Sequence, residues 1–181
     1  MTLSYTNFRG EAYYLHSSTT KKGNLTYHFS KKVKDNAIDQ LPNGYEIYEN
    51  PNGKVYLRKE QKQIVNEQEI QTIKESLKKH SPIKDIKLDV KKEYIYIYYA
   101  NKELGEVLPF TDSHTQDKYK QYETELRLEL IDEDERCFVM ERFCFLGDID
   151  DWIDLEDSTD LEALLAKYAP HIGQETLFEF W

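Results

Sequence analysis

Only two of the 181 residues are cysteine, Cys137 and Cys144. A small secreted domain built on disulfides needs a denser cysteine framework. If the two share one strand, their odd separation puts them on opposite faces, where they cannot bridge. They read as free thiols in a reducing cytoplasm. No CxxC pair or His-rich spacing accompanies them, so no thiolate metal site or redox pair is expected. No run of about 18 apolar residues occurs, and no membrane-spanning helix is expected. The opening residues, Met1 to Arg9, lack a basic stretch followed by an apolar one, so a cleaved leader is not expected. Glycine and proline are sparse, at 7 and 5 residues, and form no linker. Neither an internal repeat nor a low-complexity tract is present. GxSxG, HExxH, P-loop and GxGxxG patterns are all missing, so nothing points to the enzyme classes they mark. No cofactor and no metal is expected.

What is present suits a folded chain. Hydrophobic residues make up 39% and charged residues 32%. The aromatic set is dominated by 14 tyrosines, against 8 Phe and 2 Trp. Tyrosine suits half-buried sheet faces, where the ring packs and the hydroxyl reaches water or a partner. Charge is uneven. Residues 1–62 hold 10 Lys/Arg and 6 Asp/Glu (+4), residues 63–110 hold 8 and 8, and residues 111–181 hold 6 and 20 (−14). Opposite ends of opposite sign can serve different partners or attract each other.

The periodicity predicts an α+β fold: antiparallel hairpins and meanders, one central helix, and one or two C-terminal helices. Ala12–His16 and Leu25–Ser30 alternate as strands around a polar turn, residues 17–24. Tyr45–Glu49 and Lys54–Arg58 flank Asn50-Pro51-Asn52-Gly53, a strong hairpin signal. A helix is predicted over Asn66–His80, with Ile70, Ile73 and Leu77 as its apolar stripe and Ser81-Pro82 as its stop. Ile86–Val90 and Tyr94–Tyr99 form the next hairpin, the second strand reading as central or doubly covered. Residues 100–118 read as a connecting loop. Tyr122–Ile131 and Arg136–Leu146 form a further hairpin around Asp132-Glu133-Asp134-Glu135. Asp160 or Ser158 caps a last helix with Leu161, Leu164, Leu165 and Tyr168 on its buried face. The apolar end, Leu177 to Trp181, is expected to dock. The chain divides into a mildly basic hairpin module over 1–62 and an α+β module with an acidic end over 63–181, either as two modules or as parts of one compact domain.

Three constellations merit weighing. The run Asp148 to Asp157 is rich in carboxylates, but its sixth and twelfth positions, Ile153 and Thr159, break the EF-hand template. It reads as a solvated acidic face around Trp152 and Ile153. Lys21, Lys22, Lys31, Lys32 and Lys34 interleave with Tyr13, Tyr14, Tyr27 and Phe29, a pattern that suits phosphate contacts and base stacking. The region's +4 is a weak footprint for a nucleic-acid binder, and such lysines also keep hairpin edges soluble. His16 and His28 fall on adjacent strands, where two imidazoles could serve catalysis or a metal, but no third ligand is placed. They read as polar residues on a partly exposed sheet face. Arg9, Arg58 and Lys59 line one edge or pair with Glu46 and Glu49, and pairing is the simpler reading.

From Tyr13-Tyr14-Leu15-His16 through Tyr27-His28-Phe29-Ser30 to the run Gly44–Arg58, the chain resembles a group of uncharacterised prokaryotic proteins. The resemblance covers about a third of the chain and carries no catalytic residues with it. The expected function is therefore non-enzymatic: a cytoplasmic module that presents a Tyr-rich sheet or its acidic end to another protein. The alternatives are nucleic-acid binding through residues 12–34, or an enzyme without a familiar motif. Candidate binding residues are Arg9, Tyr14, His16, Lys21, Lys22, His28 and Arg58.

Overall fold

A computed structural model of the protein describes residues 2–101, 119–145 and 150–180. They divide into two compact units, one of residues 2–60 with Tyr119, the other of residues 61–101, 120–145 and 150–180. Both are built on antiparallel sheets, and the second adds helices, so the class is α+β.

The first unit contains β1 (Ser4–Thr6), β2 (Ala12–Thr19) and β3 (Leu25–Ser30) in one sheet, and β4 (Tyr45–Glu49) and β5 (Val55–Lys59) in a hairpin. β2 runs three residues past the predicted His16. Ser17, Ser18 and Thr19 continue the ladder opposite Tyr27, Thr26 and Leu25, and only residues 20–24 turn. Polar composition mimicked a loop there, although Ser and Thr fit an exposed hairpin face. Asn7 joins the two sheets: it is 4% exposed, its Nδ2 donates to the Gly53 carbonyl at 2.7 Å, and its Oδ1 accepts from the Arg9 and Glu11 N–H groups. Gly53 has φ +76°, and a Cβ there would lie 3.0 Å from Asn7 Nδ2. The turn therefore requires glycine both for its backbone and for the close approach.

The second unit is a two-layer sandwich of helix on sheet. The sheet order is β10-β9-β8-β7-β6, a pure antiparallel meander of β6 (Ile86–Lys91), β7 (Tyr94–Ala100), β8 (Tyr122–Asp132), β9 (Cys137–Phe145) and β10 (Asp150–Ser158). Helix α1 (Glu67–His80) begins at Asn66, whose side chain accepts from the Glu69 N–H while Glu69 returns a bond to the Asn66 N–H. Helix α2 (Leu161–Tyr168) is capped by Asp160. Ile73, Leu77, Leu164 and Leu165 pack on Ile95, Ile97, Leu126, Leu128, Phe138 and Met140, all nearly inaccessible. Alternation along the strands places this set on one face, and each helix contributes one stripe to it. Leu177 is fully buried, Phe180 meets Tyr168 edge-on at 5.1 Å, and the Arg142 guanidinium donates to the Phe180 carbonyl.

Residues 150–158 of the acidic run form an edge strand, β10, paired with β9 from Asp150↔Phe145 to Ser158↔Phe138, with Asp150, Asp151, Asp154, Glu156 and Asp157 exposed and Trp152 and Ile153 half-buried among them. Aspartate is poor in strands, so the composition concealed it; at an edge its charge hinders pairing with other chains. The predicted positions 102–118, 146–149 and Trp181 lie outside the described residues, while Ala100 extends β7.

Candidate functional site

The seven candidate residues of the first unit do not converge. His16 stands opposite His28, and the rings stack with centroids 5.3 Å apart and planes 21° apart. The face is not partly exposed at His16, which is wholly buried; His28 alone is exposed. The bridge between His16 and Ala37 explains the burial, because residues 36–38 run alongside β2. His16 Nε2 accepts the Lys34 N–H at 3.2 Å, so the neutral ring carries its proton on Nδ1, which has no hydrogen-bond partner among the described residues. Tyr14 lies half-buried on the same strand. Lys21 and Lys22 are exposed on the β2–β3 turn, beyond the Thr19↔Leu25 pair that ends the ladder about 10 Å from the histidines. Arg9 sits at the β1–β2 turn against Gly53. Arg58 is at the far end of its hairpin, bonded to Glu46 at 2.7 Å and stacked 4.2 Å over Tyr48. Glu49 instead accepts from the Tyr5 hydroxyl and the Phe8 N–H. Lys31 is paired to Glu11 at 2.5 Å and covers the Tyr13 ring, which removes one cation and one stacking surface from the basic cluster.

The second unit holds a more organised surface. Residues that alternate with the core set fall on the opposite face of the sheet: Asp89 and Lys91 on β6, Tyr94, Tyr96 and Tyr98 on β7, Arg127 and Glu129 on β8, Glu141 and Phe143 on β9, and Trp152 and Asp154 on β10. None belongs to the core cluster. Arg127 is its centre. The guanidinium grips Glu141 with two bonds of 2.7 Å, donates to the Tyr96 hydroxyl at 3.2 Å, and lies 4.4 Å from the Tyr94 ring centre and 4.5 Å from that of Trp152. Trp152 meets Tyr96 and Phe143 edge-on. The planar fork matches the carboxylate and stacks on the rings, which a lysine could not reproduce.

Electrostatics follow from this packing. Burial would lower the Arg127 pKa, but the bonds to Glu141 and Tyr96 more than offset it and hold it above its ordinary value. Tyr94 is pushed up to about 12, by burial first and then by its 3.0 Å bond to Glu129. Burial and the nearby Asp89 carboxylate raise Tyr98.

Beside the aromatic cluster lies a groove of about 230 Å³. Its apolar floor is Ile131, Val139 and Leu155, and its rim carries Glu129, Asp154, Glu156 and Asp157. Glu156 is held below the usual carboxylate range by Lys167 and the Tyr168 hydroxyl. Asp157 faces the Cys137 thiol, whose pKa burial and that carboxylate raise. Asp154 makes no ion pair among the described residues. Among the described residues no group of three or more His, Cys, Asp or Glu is arranged to hold a metal ion. The rim suits the spread charge of a lysine or arginine side chain, whose aliphatic stem would cover the floor.

Sequence reasoning identified the Tyr-rich strand and the acidic run but not their meeting. Tyr96 and Trp152 are separated by 56 positions and two intervening strands, and periodicity within one strand carries no information about its neighbours. One signal was available: Arg127 and Glu141 sit at facing positions of the predicted hairpin around residues 132–135. Among the described residues no helix is long and apolar enough to cross a membrane. Compared with protein-family models, curated proteins and solved structures, the chain matches none.

Proposed function

We propose that this protein is a non-enzymatic docking module, and that its second unit receives a basic segment of another protein. The reading rests on one observation: a carboxylate-rimmed, apolar-floored groove bounded by Glu129, Asp154 and Asp157 lies beside a packed Tyr/Trp sheet face. Aromatic residues on a preorganised surface supply contact area at little entropic cost, and the rim selects the sign of the partner's charge. The molecule's own Arg127 illustrates the recognition, since a guanidinium is already stacked on these rings and forked to a carboxylate. Free thiols at Cys137 and Cys144 support a reducing, cytoplasmic setting.

The test is fluorescence polarisation with a labelled peptide that alternates arginine and leucine, against a glutamate-for-arginine control. The arginine peptide should bind saturably and weaken as salt rises. Asp154→Asn with Asp157→Asn should weaken it about tenfold, or ~1.4 kcal/mol. Equal binding of both peptides, or no loss in the double variant, would refute the reading. Nucleic-acid binding through Lys21 and Lys22 has less support, because Lys31 is committed to Glu11. A gel shift abolished by Lys21→Glu with Lys22→Glu would revive it.

A further inference from the structure

Helix α1 and strand β6 leave a slot between them on the core side of the sheet. Ile86 and Leu88 belong to the alternation that faces the core, opposite Tyr99 and Ile97 of β7, yet both are only half-buried. With Leu77 of α1 they floor a groove of about 350 Å³, whose rim is Lys74, Lys78 and Lys84. That volume falls within the range of small-ligand sites, about 300–1,000 Å³. It takes a single hydrocarbon chain and not a helix, whose body is about 10 Å across.

The rim is cationic on both sides. Lys74 and Lys78 are exposed one turn apart on α1, where like charges repel. Lys84 faces them from beyond the helix end. Its Nζ donates to the Lys78 and Ser81 carbonyls at 2.9 and 2.7 Å, so two of its three donors hold the ammonium in place beside the slot. The neighbouring carboxylates have other partners: Glu75 accepts from Gln71 at 2.7 Å, and Asp85 accepts from the Tyr122 hydroxyl and pairs with Lys120. An anion seated on the rim would relieve the repulsion between Lys74 and Lys78, and an apolar tail behind it would cover Ile86 and Leu88.

We infer that the α1–β6 groove binds a single-chain fatty acid, with its carboxylate among Lys74, Lys78 and Lys84 and its alkyl tail along Leu77, Ile86 and Leu88. Both halves of the ligand are needed. A small inorganic anion lays nothing on the floor, and exposed ammonium groups alone hold an anion weakly. An uncharged chain covers the floor but leaves the lysines facing one another. Each methylene taken out of water should tighten binding about fourfold. The inference does not draw on the carboxylate groove at β10. The two grooves lie against different strands and select opposite charges, so either can fail without the other.

The probe is decanoate, titrated calorimetrically into the full chain below its micelle concentration. It should bind saturably at one site and weaken as salt rises. Octanoate, two methylenes shorter, should bind roughly tenfold more weakly. Decyltrimethylammonium, with the same tail and the opposite charge, should not saturate. Lys74→Glu with Lys78→Glu should weaken decanoate about tenfold or more, and the milder Lys74→Gln with Lys78→Gln, which keeps good helix formers on α1, should weaken it in the same direction by less. Methyl resonances of Leu77, Ile86 and Leu88 should shift during the titration. Equal binding of decanoate and decyltrimethylammonium, or decanoate affinity unchanged in both lysine variants, would overturn the inference. So would methyl shifts confined to other residues. Binding of inorganic phosphate as tight as that of decanoate, lost in the same variants, would replace the fatty-acid site with a plain anion site. Failure of decanoate to bind at all would sink the inference.

Discussion

Removing the Arg127 guanidinium leaves Glu141 with a side chain only 5% exposed and, among the described residues, no other ion-pair partner. Arg127→Met should therefore cost about 3–5 kcal/mol in urea unfolding, well above a surface ion pair, and Arg127→Met with Glu141→Leu should recover most of the loss. If the single and double variants unfold alike, the pair is not the anchor of that face. Tyr94 gives a pH test. Its pKa is raised to about 12, while an unfolded tyrosine ionises near the ordinary 10. Its contribution to stability is complete below pH 10 and lost as pH rises from about 10 to 12. Denaturant midpoints should fall across that window, less steeply for Tyr94→Phe. In the first unit, Asn7→Ala removes four bonds at once and should destabilise by about 1–3 kcal/mol, measurable by thermal melting. Neither Asn7 nor the burial of His16 was legible in the sequence. Both depend on contacts with segments some 20 to 46 positions away, which single-strand alternation does not encode.

Elements with local punctuation were legible. Asn50-Pro51-Asn52-Gly53 marks its turn because the positive φ of Gly53 needs no tertiary help. Asn66 and Asp160 start the two helices by satisfying free N–H groups within their own first turns. Asn66→Ala should thus cost about 1 kcal/mol, and Glu69→Ala more, because Glu69 also holds Arg136 through bonds of 2.7 and 2.6 Å. A chemical-denaturation series that ranks them in the reverse order would contradict this account of α1. β10 shows the opposite case. Asp150, Asp151, Asp154 and Asp157 argue for a loop, and only the ladder offered by β9 makes a strand of them. Tertiary pairing overrides propensity most readily at an edge, where one side of the strand keeps its carboxylates in water.

At the scale of the second unit, the sheet carries a carboxylate groove at one edge and a lysine-rimmed groove at the other. A chain of pI ≈ 5.0 with oppositely charged edges should be least soluble near pH 5, where net repulsion vanishes and those edges still attract. Turbidity against pH should peak there and be reduced by salt; a flat profile would show that edge charges do not govern association.

Composition and periodicity determined the class, the helix starts, the hairpin turns and the alternation that divides each strand into two faces, because these depend on residues within a few positions of one another. Tertiary structure alone decided that Tyr94, Tyr96, Arg127, Glu141 and Trp152 form one cluster, that His16 is buried, and that β6 and β10 are the edges. Strand order is a long-range choice, set by which faces bury together, and the spacing of residues along the chain does not carry it.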